Sequence, residues 1–171
     1  MFTVGAFAII LDSQHRVLLC HRKDIDRWNL PGGGVMNGET PWQAVIREVR
    51  EEVRLEVAVD RLVGVYAYPP RNDLVFSFLC THIGGEMTES EEADSIGYFA
   101  LEHLPSTTHL HHILRIKDVL ERPEQLQLKT LPLLPLSEFS SVFESRAVQR
   151  DQENEVRDVL SKRLSEESEQ A

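Results

Sequence analysis

The chain is predicted to fold as an α/β domain, a mixed β-sheet with helices on its faces, followed by a helical C-terminal extension. Three observations carry that expectation. Apolar runs of strand length recur along the first hundred residues and are separated by turn residues. A capped amphipathic helix begins at Thr40 and a second near Leu110. Beyond Arg122-Pro123 the composition shifts, which sets a domain over 1–122 and an extension over 123–171. With 171 residues, 42% of them hydrophobic, there is enough apolar surface for one domain core.

The elements follow in order. Phe2 to Leu11 and Arg16 to Arg22 are apolar runs around the turn Asp12-Ser13-Gln14-His15, and are expected to form a hairpin. Trp28-Asn29-Leu30-Pro31 then leads into Gly32, Gly33, Gly34 and Asn37-Gly38. Glycines at this density let backbone and ligand approach closely, so N–H groups and carbonyls can line a phosphate or metal site. Thr40 is an N-cap, Pro41 fits the first helical position, and Gln43 can close a capping box. Trp42, Val45, Ile46, Val49 and Val53 recur at three- and four-residue intervals and form the stripe that faces a core. Glu48, Glu51 and Glu52 share another side. Carboxylates so placed repel by roughly 0.2–0.5 kcal/mol per pair unless something positive lies between them. Their hard oxygens suit Mg²⁺, which takes its remaining ligands from water and substrate phosphates. A solvated acidic face is the alternative for such a cluster taken by itself.

The stretch from Gly33 to Leu55 resembles the Nudix box, G-x5-E-x7-R-E-U-x-E-E-x-G-U with U aliphatic. Gly33, Glu39, Arg47, Glu48, Val49, Glu51, Glu52 and Leu55 match in register, and Arg54 stands where the box has Gly. That position lies just past the helix, so the departure implies a modest stability cost or a slightly longer helix. The resemblance implies an α/β/α sandwich and metal-assisted hydrolysis of a diphosphate, with Mg²⁺ as cofactor and Mn²⁺ as its alternative. It further implies Glu52 and Glu48 as metal ligands, Glu51 assisting, and the Gly32 carbonyl completing the shell. Arg47 is expected to pair with Glu39 and orient the loop. A later acidic loop supplies the base in several Nudix branches, which points to Glu92 or Glu91. An Arg at the end of the second strand reaches substrate phosphate in that family, so Arg22 is a candidate, a solvated strand end being the alternative.

After the box, residues 57–68 and 74–83 are predicted strands on either side of Pro69-Pro70-Arg71-Asn72, and 95–100 is the last. In Nudix proteins resembling ADP-ribose pyrophosphatases a Pro beyond the box is a marker, and counting fifteen residues on from Leu55 lands on Pro70. Tyr66 and Tyr68 either stack on a nucleobase or belong to the core. Leu110, Ile113, Leu114, Lys117 and Leu120 mark the second helix. His109, His111 and His112 at its start lack acidic or Cys partners at a zinc-binding spacing and read as a His-rich helix terminus. The expected substrate is a nucleoside diphosphate derivative, ADP-ribose or a nucleotide sugar. An ordinary or oxidised nucleoside triphosphate is the alternative, and a non-hydrolytic nucleotide-sensing module is the alternative of another class.

A net charge of −10 argues against nucleic acid as partner, since Lys and Arg dominate that affinity. Cys20 and Cys80 lie in apolar runs, as reduced thiols of a cytoplasmic protein do, and no stretch is long enough to span a bilayer. In the extension, Leu131 to Leu136 is a Pro-interrupted apolar strip, followed by Phe139, Val142, Phe143 and then Val156, Val159, Leu160 and Leu164 at helical spacing. Such surface must be covered, so a homodimer is expected, with packing onto the same domain as the alternative.

Overall fold

The computed structural model describes residues 2–131. Strand β1 (Thr3–Ile10) lies antiparallel to β4 (Gly32–Gly34) on one side and parallel to β6 (Asp73–Gly85) on the other. Beyond β6 come β5 (Leu55–Tyr68), antiparallel, and β8 (Gln127–Thr130), parallel to β5, which makes a five-stranded mixed sheet. A second, antiparallel sheet has β2 (Val17–Arg22) between β3 (Arg27–Asn29) and β7 (Ala93–Phe99). The two-residue period of the strands divides their side chains between two cores. Ala6, Ala8, Ile10, Leu18 and Cys20 pack with Val45, Val49 and Val53 of helix α1 (Pro41–Val53). Ile9, Val17 and Leu19 pack with Ile116 and Val119 of helix α2 (Leu110–Glu121). Strands buried on both faces read as unbroken apolar runs, and β1 and β2 do.

The two runs do not form the expected hairpin. Asp12 closes the turn through its carboxylate, which accepts the N–H groups of Gln14 and Arg16, but beyond it only Leu11 and Val17 bridge. Both edges of β1 are taken by β4 and β6, and both edges of β2 by β3 and β7. The turn reverses the chain, and tertiary pairing sends its arms into different sheets.

Helix α1 starts as its sequence requires. Thr40 N–H donates to Gln43 Oε1 at 2.9 Å and Gln43 N–H to Thr40 Oγ1 at 3.4 Å, the reciprocal capping box. Trp42 departs from the expected stripe, lying 54% exposed in the first turn, while Ala44 is buried in its stead. At the other end the helix stops at Val53, and Arg54 takes the left-handed conformation with φ 60°. The missing Gly therefore appears as local strain and not as a longer helix.

Helix α2 buries Leu110, His112, Ile113, Arg115, Ile116, Asp118 and Val119, so its core face is rotated from the Leu114, Lys117, Leu120 side that apolar spacing suggests. The sheet continues past Arg122 into β8, so the compositional boundary there falls inside the fold. Cys20 and Cys80 are free and buried. Among the described residues no helix is long and apolar enough to cross a membrane. The Pro-interrupted strip beyond Leu131, the clusters that follow it and the homodimer expectation built on them lie outside the described residues.

Because left-handed φ costs a non-Gly residue on the order of 1 kcal/mol, Arg54→Gly is expected to raise unfolding free energy by up to about that amount. Chemical denaturation checks it; a lower midpoint would mean the Arg54 side chain contributes more than its backbone costs.

Candidate active site

Strand β4 is pressed against β1, with Gly32, Gly33 and Gly34 opposite Phe7, Ala6 and Gly5. Gly32 has φ 146°, and a Cβ there would stand 2.6 Å from Phe7 Cα. At Gly33 the tight neighbour is functional: a Cβ would lie 2.6 Å from Glu48 Oε1. Only a bare backbone lets the loop sit on the carboxylates of α1.

On that helix Arg47 joins loop to carboxylates. Its Nε and Nη2 donate to Glu39 at 2.9 and 3.0 Å, its Nη1 to Glu48 at 2.8 Å and Glu51 at 3.0 Å, and its Nη2 also to the Gly34 carbonyl at 3.0 Å. Bidentate, charge-assisted bonds of this kind lower the Glu39 carboxyl from its usual range. Glu39 in turn accepts the Met36 N–H at 3.0 Å, so the whole glycine turn is tied to one guanidinium.

Glu52 is left out of that network. It is 7% exposed, and its Oε2 accepts the Gly32 N–H at 2.8 Å, with Cys20 Sγ at 4.0 Å. Burial pushes its carboxyl up to about 7, and the charges of Glu48 and Glu92 add to the shift. Glu48 is raised for the same first reason, burial, against the opposing pull of Arg47. Glu92, just before β7, is thereby placed within electrostatic reach of both. Glu51 is the exposed member of the three, its side chain 54% accessible. Among the described residues no group of three His, Cys, Asp or Glu side chains encloses a point where an ion would sit. The donor set nonetheless fits a hard divalent cation, because two desolvated carboxylates lie side by side and Glu52 has only a backbone N–H and a thiol against it. For Gly32 the contact in place is its N–H on Glu52.

A cavity of about 400 Å³ opens on the far side of Gly33. Arg22, at the end of β2, lines it, with its Nε and Nη2 on Asp24 at 3.0 and 2.6 Å. Tyr68 and Arg71 line it too, whereas Pro70 is exposed on the intervening 3-10 turn and is not among the lining residues. Tyr66 has no surface to offer a base: it is fully buried and its hydroxyl donates to Asp118 at 3.0 Å. Sequence reasoning missed the opposite wall, made by Phe7, Asn29 and the first turns of α2 with His109, His111, His112 and Arg115. One signal was available. His112, Arg115, Ile116 and Val119 follow the i, i+3, i+4, i+7 pattern, and an Arg inside a buried stripe is rare enough to mark a site.

Desolvated carboxylates beside an arginine-lined cavity suit hydrolysis of a phosphoric anhydride, and a phosphoanhydride hydrolase built on a mixed α/β fold is the class that fold and site together define. The NUDIX domain matches residues 1–119, and the chain belongs to the Nudix family of hydrolases acting on nucleotide diphosphate linkages. It is 36% identical over 106 residues to a putative 8-oxo-dGTP diphosphatase of Bacillus subtilis, covering 61% of this chain and 71% of that one. It is also 36% identical over 116 residues to an ADP-ribose pyrophosphatase of Methanocaldococcus jannaschii, covering 64% and 68%. The solved NUDIX hydrolase of Nitrosomonas europaea shares the fold with a TM-score of 0.68 at 23% identity, over 75% of this chain and 78% of that one.

Glu52→Gln keeps the shape of the buried side chain and removes its charge. Hydrolysis at saturating Mg²⁺ is expected to fall by orders of magnitude while the thermal midpoint holds or rises; near-normal turnover would remove Glu52 from the metal site. A carboxyl whose folded pKa is raised stabilises the fold below its unfolded pKa of 4.5 and loses that contribution as pH climbs through about 7. Metal-free wild type should therefore lose thermal stability across that window, and Glu52→Gln should flatten the slope.

Proposed function

We propose that the chain is a Mg²⁺-dependent pyrophosphohydrolase, with Mn²⁺ as a substitute ion, that cleaves the diphosphate linkage of a nucleoside diphosphate derivative such as ADP-ribose or a nucleotide sugar. The observation that carries this reading is the junction at Gly33, where the α1 carboxylates meet a cavity lined by Arg22 and Arg71. Glu48, Glu51, Glu52 and the Gly32 carbonyl would hold the cation, which when bound would supply charge neutralisation at phosphate oxygens and a water of lowered pKa. Arg22 exchanges part of its pairing with Asp24 for a substrate phosphate oxygen. Glu92, close enough to perturb Glu48 and Glu52, receives the proton of the attacking water. Arg47 and Glu39 keep loop and helix in register through each turnover. Pro70, beyond the box, supports the ADP-ribose-like branch, and with Tyr66 buried only Tyr68 is left to meet a base.

A second reading, an oxidised nucleoside triphosphate as substrate, is favoured by the likeness to the Bacillus subtilis relative. The sensing-module alternative fits poorly with a box that keeps all its carboxylates.

The test compares kcat/KM for ADP-ribose, other nucleotide sugars, and ordinary and oxidised triphosphates with Mg²⁺ present. The diphosphate derivatives are expected to lead by about tenfold or more. A triphosphate leading by that margin would transfer the assignment to the second reading.

A further inference from the structure

The turn that joins β2 to β3 is fastened to β7 by one imidazole. His21, the residue before the end of β2, pairs with Trp28 of β3 on one side and Ser95 of β7 on the other. Along β7 the ladder then slips, because Arg22 pairs with Ala93 and Asp94 is left as the extra residue of a β-bulge. The bulge re-aims the Asp94 side chain onto the imidazole, whose Nδ1 lies 2.7 Å from Asp94 Oδ1. The opposite ring nitrogen, Nε2, lies 2.9 Å from Oδ1 of Asp26, the residue that closes the turn in a left-handed conformation with φ 48°. The Trp28 ring backs the imidazole with its centroid 5.4 Å away.

A carboxylate at each ring nitrogen fixes the state of the ring. A neutral imidazole has one N–H and satisfies one of them; only the doubly protonated ring donates to both. The hydrogen bonds to Asp94 and then Asp26 accordingly raise the pKa of His21, and the charges of both carboxylates add to the shift. The other charged side chains of the packed elements are engaged elsewhere: Arg22 with Asp24, Lys23 Nζ with the Ser90 carbonyl at 3.1 Å, and Arg27 of β3 within electrostatic reach of His109. The turn so held bears on the site. Asp24 orients Arg22, Ile25 lines the cavity together with Arg22, and the Lys23 N–H donates to the Glu92 carbonyl at 3.3 Å.

We propose that His21 is a positioning residue: bridging Asp94 to Asp26 as an imidazolium, it fixes the 23–26 turn beside the cavity, and with it Ile25 and Arg22, so that substrate meets a wall already in place. The proposal rests on the substrate occupying this cavity, as the preceding section has it. His21 itself touches no reacting atom. Order supplied before binding reduces the entropy that binding must remove, so the effect falls on KM and leaves kcat nearly as it was. The Asp26 side chain is 88% exposed, and an ion pair so open to water contributes modestly, which sets the expected effect at a few-fold.

NMR reads the bridge without substrate. The ring resonance of His21, assigned by its loss in His21→Gln, is expected to titrate above the ordinary imidazole value of 6.5 and to move down in Asp94→Asn. Below that midpoint the backbone amides of 23–26 should show more fast motion in His21→Gln and in Asp26→Asn than in wild type. Steady-state kinetics with Mg²⁺ then use ADP-ribose and an oxidised nucleoside triphosphate in parallel. For whichever is cleaved, KM should rise about threefold in either variant below the midpoint with kcat within about twofold, and the ratio of variant to wild-type KM should return to one as pH passes above it. A midpoint at or below 6.5 overturns the proposal, as do turn amides equally ordered in all three proteins. A loss of kcat at unchanged KM also overturns it, since that would place His21 in the chemistry. If neither compound is cleaved, the fault lies with the substrate reading, and the amide comparison alone upholds or rejects the bridge. If His21→Gln unfolds, Asp26→Asn, a change at an exposed side chain, decides.

Discussion

The site depends on one guanidinium with four oxygen-bearing partners. Without Arg47, the carboxylates of Glu39, Glu48 and Glu51 would repel across a glycine turn that has no side chains to hold itself in place. With it, the turn is fixed from two directions, through Glu39 and through the Gly34 carbonyl, while the same Nη1 spans Glu48 and Glu51. Arrangement of this kind before a ligand arrives matters because the reorganisation it avoids would otherwise be added to the barrier of every turnover. Glu52 completes the arrangement from the other edge of the helix by accepting the Gly32 N–H, so the short strand β4 is held at both ends by α1.

What could be read in the sequence follows from how local each determinant is. The capping box, the glycine turn and the carboxylate face of α1 are set by residues within a few positions of one another, and their spacing exposes them. Strand pairing is a choice among distant partners. The turn at Asp12 looks like the tip of a hairpin because the alternatives, β4, β6, β3 and β7, are invisible from residues 2–22. β8 was hidden for another reason: an edge strand reading Gln-Leu-Lys-Thr, with Leu128 74% exposed, has no apolar face to announce it.

Helix α2 shows where apolar spacing misleads. Its buried face includes His112, Arg115 and Asp118, and a pattern that counts only hydrophobic residues rotates the helix toward Leu114 and Leu120. Asp118 is acceptable there because Tyr66 and Lys129, from β5 and β8, bring it a hydroxyl and an ammonium. The same contact explains why two tyrosines on one face of β5 have different surroundings. Period two places Tyr66 and Tyr68 alike, but the first is bonded to Asp118 and sealed, while the second has its ring centroid 4.2 Å from that of His111 and lines the cavity.

Each of the two helices buries a charge: Glu52 on α1 and Arg115 on α2. Glu52 on α1 hydrogen-bonds a backbone N–H and a thiol, with the Arg22 charge offsetting part of its burial, and two nitrogens of Arg115 on α2 have no hydrogen-bond partner. In a fold selected for stability alone each would be replaced by an apolar residue of similar volume, since burial of an unpaired ion works against folding.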